Sequence, residues 1–171
     1  ATSSTVSICP GASATLTATG ANLYSWALLT NPGTPIGTSN PFVVNPTVTT
    51  SYIVTGTNSL NCVNKDTITV TVLAAPAITA TQNTDSICPL DSVVLSASGG
   101  LSYTWTTQAS PTTIISSNSS LTVTPSTTTS YIVTGTGANG CTNKDTITVN
   151  VNPAPLSNAG NNQSLCSTSS I

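Results

Sequence analysis

The sequence predicts an all-β protein made of two β-sandwich units in tandem. Three observations predict it: the chain repeats itself, its apolar residues alternate over short stretches, and hydroxyl residues replace charged ones. Shifted by 79 positions, Cys9 falls on Cys88, Trp26 on Trp105, Tyr52 on Tyr131, Cys62 on Cys141 and Asp66 on Asp145. Residues 9–72 match residues 88–151 without a gap, at 31 of 64 positions. Self-similarity of this period marks an array of supersecondary units. Ser164-Leu165-Cys166 echoes Ser7-Ile8-Cys9, as the opening of a third copy. The expected division is 1–74 and 75–153 for the two units and 154–171 for the first strand of a third.

Each unit reads as strands from end to end. Residues 14–18 (and 93–97) put alternate side chains on one face, the period of a half-buried strand. Tyr24 and Trp26 (Tyr103 and Trp105) share a face on the next strand, and Phe42 and Val44 (Leu121 and Val123) on another. Residues 52–57 and 66–72 give a last pair, with Ile68, Val70 and Val72 inward and Thr67, Thr69 and Thr71 outward. Between them lie pieces rich in Asn, Pro and Gly, such as 31–35 and 58–61. Thr and Val suit strands, and no segment carries a helical period. Short strands around one Trp per unit point to an immunoglobulin-like sandwich. Trp26, Trp105, Tyr52 and Tyr131 are the expected core aromatics. Tyr52 and Tyr131, opening the penultimate strand after a proline turn, are also placed for a tyrosine corner. The linkers at 73–76 and 152–155 are short and proline-bearing, which predicts a semi-rigid rod.

Composition narrows the function. The 171 residues include two Lys/Arg, four Asp, no His and no Glu, for a net charge of −2. Hydroxyl residues number 60, 35 Thr and 25 Ser. Two lysines cannot neutralise a run of phosphates, so nucleic acid is not an expected partner. Without His, the usual general base and metal ligand is missing, and no Gly-x-Ser-x-Gly elbow accompanies the serines. The chain therefore reads as a non-enzyme, with no cofactor, no metal and no catalytic residue. Apolar runs are too short and too interrupted to span a membrane. Residues 1–10 lack the basic start and apolar block of a signal peptide, as in a processed chain or a window cut from a longer one.

The five cysteines, Cys9, Cys62, Cys88, Cys141 and Cys166, keep the register of the repeat. With no CxxC and no His they read as disulfide partners in an oxidising compartment. Two schemes are open. One bridge per unit would join Cys9 to Cys62 and Cys88 to Cys141. Sandwich topology, however, sets those positions at opposite ends of a unit, further apart than the ~7 Å between Cα atoms that a disulfide spans. In a head-to-tail array Cys9 can instead reach Cys141 across the junction.

The succession Ile-Cys-Pro-Gly, Tyr-x-Trp, Thr-Thr-Ser-Tyr-Ile-Val-Thr-Gly-Thr, Cys and Asp-Thr-Ile-Thr-Val resembles the Ig-like or PKD-like repeats of large Bacteroidetes cell-surface proteins, the gliding-type adhesins exported by the type IX system. The resemblance implies an extracellular, cell-surface location and a structural role as stalk of an adhesin or filament. Its implied partners are neighbouring repeats of the same protein, with self-association into fibres, and glycans. The alternative is a carbohydrate- or surface-binding module acting through loops, of which 27–40 differs most from its counterpart 106–119. All four aspartates precede a hydroxyl and an aliphatic residue, which resembles the Asp-Ser/Thr-aliphatic O-glycosylation site of such proteins. Thr67, Ser86, Ser92 and Thr146 are thereby the expected sugar carriers.

Overall fold

The computed structural model describes residues 5–155, and these contain strands and turns with no helix. Unit 1 is formed by β1 (Thr5–Ile8), β2 (Ala14–Leu16), β3 (Leu23–Leu28), β4 (Asn31–Gly37), β5 (Phe42–Val44), β6 (Thr50–Thr57) and β7 (Val63–Val72). One sheet has the order β1-β7-β6-β3-β4 and the other pairs β2 with β5. The first strand runs parallel to the last, Thr5 opposite Thr69 and Ile8 opposite Val72, while the β3–β6 and β6–β7 ladders are antiparallel. This is an immunoglobulin-like sandwich.

Unit 2 comprises β8 (Thr79–Gln82), β9 (Ser86–Ile87), β10 (Val93–Ser98), β11 (Ser102–Thr107), β12 (Ser120–Val123), β13 (Thr129–Thr136) and β14 (Thr142–Val151). Its sheets have the orders β12-β10-β8 and β11-β13-β14-β9. The chain changes sheets between β8 and β9, so unit 2 begins with a strand on each face. Two differences separate the copies. The β3–β4 hairpin of unit 1 is replaced by single bridges from Trp105 to Ser116 and from Thr107 to Ser110. In addition, β2 has three residues where β10 has six; the positions equivalent to β8 lie outside the described residues.

Each unit closes around its own interior. Leu16, Trp26, Tyr52, Val54 and Val70 are buried in one cluster, and their counterparts Leu95, Trp105, Tyr131, Val133 and Val149 in the other. The alternation of β2 and β10 places Ala14 and Leu16, or Val93 and Leu95, inward. Both indoles satisfy their N–H in the same way: Trp26 Nε1 donates to Ser39 O and Trp105 Nε1 to Asn118 O, each at 3.0 Å. A buried indole needs such an acceptor.

The tyrosine corner is a correction. Tyr52 and Tyr131 are 5% exposed, yet neither hydroxyl makes a hydrogen bond within the described residues. Tyr24 and Tyr103 make the backbone contacts instead, Tyr24 Oη accepting from Ala21 N at 3.0 Å and Tyr103 Oη from Gly100 N at 2.9 Å. Desolvation by burial raises the Tyr52 and Tyr131 pKa values above the ordinary 10.0. A phenol that ionises later when folded stabilises the fold fully below its unfolded pKa and loses that contribution as pH climbs through the folded one. Stability is therefore expected to hold up to about pH 10 and to fall above it. Melting temperatures recorded between pH 8 and 12, beside the tyrosinate absorbance, check this; a flat profile across that range contradicts it.

Candidate functional site: the junction between units

The junction is built from one turn, one hairpin and one linker. After β1, the chain turns at Pro10-Gly11, with Ala12 N–H donating to Cys9 O at 3.1 Å and Gly11 at φ 78°. After β7, Leu73 N–H donates to Ile8 O at 2.9 Å, which prolongs the β1–β7 pairing and sets the linker beside Cys9. From the other side comes the hairpin between β13 and β14, closed by Gly137 N–H to Cys141 O at 2.8 Å.

Cys9 and Cys141 are joined by a disulfide, with Cα atoms 5.4 Å apart and 132 residues between them in sequence. Neither intradomain bridge forms: Cys62 and Cys88 are both exposed and unpaired, and Cys166 lies outside the described residues. The reason is topological. The turn after β1 and the hairpin before β7 sit at opposite ends of one sandwich, so only the adjoining end of the neighbour comes within reach. Cys141 is fully buried by this contact.

Side chains of unit 2 also grip the linker. Asn139 Nδ2 donates to Ala74 O at 2.8 Å and Asn143 Nδ2 to Pro76 O at 3.0 Å. Asp145 Oδ2 accepts from Ala80 N at 2.8 Å. Ile78, 8% exposed, lies directly over Gly135, where any Cβ would overlap its Cδ1. These four groups seat residues 74–80 in a groove between β10 and β14. Sequence reasoning missed all of them. The glycine of the repeated Thr-Gly-Thr block was the available signal, since glycine inside a strand often marks a close approach by another segment.

Unit 1 has the equivalent groove, and the positions corresponding to residues 74–80 fall outside the described residues. A cavity of about 410 Å³ is lined by Ala18, Gly20, Tyr24, Gly56, Asn64 and Asp66, the counterparts of Ala97, Gly99, Tyr103, Gly135, Asn143 and Asp145. Cys62 stands on its rim.

The four expected sugar carriers are scattered. Ser86, Ser92 and Thr146 are exposed, whereas Thr67 is half-buried on β7 rather than turned fully outward. Ser86 Oγ accepts from Asn152 Nδ2 at 3.3 Å. No group of three or more His, Cys, Asp or Glu that could hold a metal occurs among the described residues. No helix among them is long and apolar enough to cross a membrane.

Comparison with solved structures returns β-sandwich proteins. The fibronectin(III)-like modules of Clostridium thermocellum CbhA align at 11% identity over 94% of this chain and 96% of that one, with a TM-score of 0.40. The amphioxus IgVJ-C2 molecule aligns at 14% identity over 85% and 100%, with a TM-score of 0.37. A structure of a 1.5-MDa bacterial ice-binding adhesin aligns at 16% identity over 86% and 60%, with a TM-score of 0.39. At these scores they are general likenesses, and nothing about binding follows from them. No curated protein matches in sequence. A family model described as "Ig-like domain CHU_C associated", a Bacteroidetes-type domain, matches residues 1–76 and again 74–155. Two copies covering most of the sequence, on two separate sandwich cores, establish that the chain belongs to this Ig-like, CHU_C-associated domain family.

Proposed function

We propose that the chain is a length of the shaft of an extracellular, cell-surface adhesin or filament, with residues 1–74 and 75–153 as successive structural units and 154–171 opening a third. The observation that carries this reading is the junction. A disulfide and two asparagine side chains lock the end of one unit to the start of the next, where a flexible tether would suffice for independent binding modules. The disulfide suits an oxidising, extracytoplasmic compartment. Strand faces coated with Thr and Ser and nearly free of charge suit hydration by hydroxyls, and leave little repulsion between neighbouring shafts. Ig-like families generally serve as non-catalytic scaffolds, and the chemistry of this chain gives no reason to depart from that.

A second reading, surface binding through loops, is favoured by one observation. The most divergent segment leaves Leu29 and Ile36 exposed in unit 1 and Ile114 and Ile115 exposed in unit 2. Two measurements decide between the readings. Negative-stain images of the oxidised chain are expected to show two-bead particles with a single inter-bead angle, and a glycan array is expected to stay blank. Array binding that disappears when residues 27–40 are exchanged for 106–119 would sink the shaft reading.

A further inference from the structure

One of the side chains that grip the linker is chemically labile. Asn139-Gly140 is the chain's only Asn-Gly pair, and it lies in the turn between β13 and β14, immediately before Cys141. Asparagine is a thermolabile residue, and it is most so before glycine, where no Cβ shields the next backbone nitrogen from the amide carbon. The pair is exposed, and Gly140, at φ 79°, has open space where a Cβ would stand. Three hydrogen bonds restrain it. Asn139 Nδ2 donates to Ala74 O at 2.8 Å, Asn139 Oδ1 accepts from Cys141 N at 3.1 Å, and Gly140 N–H donates to Gly137 O at 3.0 Å. The first bond crosses the junction and the second ends on a bridged cysteine, so the restraint depends on the junction being closed. The equivalent turn of unit 1 holds Leu60 and Asn61, which makes this chemistry particular to the internal junction.

We infer that Asn139 is a site of spontaneous deamidation, guarded while the junction is closed, whose product releases the linker from unit 2. This goes beyond the shaft reading and does not rest on it. Local opening of the turn frees the Gly140 N–H, and solvent base takes its proton. The nitrogen attacks Asn139 Cγ, the new N–Cγ bond closes a succinimide, and the Cγ–Nδ2 bond breaks with ammonia leaving on a proton from water. Water then opens the ring at either carbonyl, giving aspartate or isoaspartate; no electrons are exchanged. The product sets a carboxylate oxygen against Ala74 O, two acceptors where a donor met an acceptor, and adds one negative charge to a net −2. The isoaspartyl form also inserts a carbon into the main chain between Gly137 and Cys141, the pair whose hydrogen bond closes the hairpin. A reduced disulfide re-forms on oxidation, whereas a lost amide does not return. The turn thereby converts a passing opening of the junction into a lasting one.

The test incubates the oxidised full chain beside the same chain carrying Cys9→Ala and Cys141→Ala, at mildly alkaline pH and well below the melting points of both. Peptide mapping follows the amide-to-acid mass gain at Asn139 and, for comparison, at the exposed Asn118, which precedes Ser119 in the same unit. Asn139 is expected to convert about tenfold faster in the bridgeless chain, the factor that one lost hydrogen bond's protection gives, while Asn118 keeps the same rate in both. A melted unit would quicken the two sites together, so the comparison isolates opening of the junction. A second arm reads the consequence in the oxidised Asn139→Asp chain, with circular dichroism confirming the fold. Hydrogen exchange over residues 74–80, where Asp145 holds the Ala80 N–H, is expected to quicken several-fold relative to the unaltered chain. Equal Asn139 rates in the two chains, Asn118 quickening in step with it, or exchange over 74–80 indifferent to Asn139→Asp would each overturn the inference. Those failures leave the shaft reading to its own test by imaging and glycan array.

Discussion

Replacing Cys9 and Cys141 together by Ala is expected to lower the melting temperatures of both units by roughly 10 to 25 °C. While unit 1 stays folded, Leu73 holds the linker beside Ile8, so the bridge ties Cys141 of an unfolded unit 2 back to a fixed point. The loop so closed spans residues 74–141, and removing a constraint of that kind typically costs about 2–4 kcal/mol. The same holds in reverse for unit 1, whose unfolded chain would be held at Cys9 and at the grip of Asn139 on Ala74. Small domains have only about 5–15 kcal/mol in hand, and each kcal/mol moves the midpoint by about 4–8 °C. Reduction of the unaltered chain should reproduce the shift. Calorimetry of the oxidised, reduced and double-alanine forms is the measurement; midpoints agreeing within two or three degrees would show that the bridge adds little to what the linker contacts already supply.

Trp105→Ala is expected to unfold unit 2 and leave unit 1 intact. Trp105 is fully buried, and its truncation removes both the ring and the bond to Asn118 O. Changes of this kind cost about 3–5 kcal/mol, comparable with the whole stability of a small sandwich. The two interiors share no residue, so the damage should stay on one side of the junction. Hydrogen exchange read by mass spectrometry checks this directly. Peptides of β10 to β14 should exchange fast while those of β2 to β7 stay protected. Uniform loss of protection along the chain would show one cooperative body instead of two.

The repeat made most of this fold legible, because a residue and its counterpart 79 positions on meet the same surroundings. Trp26 and Trp105 sit on inward strand positions with backbone carbonyls at equivalent positions as indole acceptors, and the alternation at Leu16 and Leu95 is in the sequence itself. What stayed hidden depends on contacts between segments remote in sequence. Asn139 and Asn143 look like turn and strand-start residues until the linker is laid across them. Ile78 looks like one apolar residue near a boundary until Gly135 opens a place beneath it. The two tyrosine pairs exchanged roles for a related reason. Position after a proline turn suggested the anchor, yet a backbone N–H lay within reach only of Tyr24 and Tyr103. The cysteine pairing was legible only in part. Topology set Cys9 and Cys62 at opposite ends, whereas the close approach of Cys141 depends on how the hairpin folds over residues 74–76.

The Cys9–Cys141 bridge also decides how the molecule bears a pull on its ends. Tension entering at β1 reaches Cys9, crosses the sulfur–sulfur bond to Cys141 and leaves along β14. Residues 10–140 lie outside that covalent path. Were both sandwiches torn open, that stretch would release roughly 400 Å of extended chain, a length the covalent shortcut withholds. The oxidised pair is thus a nearly inextensible strut, and reduction of a single bond would turn it into a shock absorber.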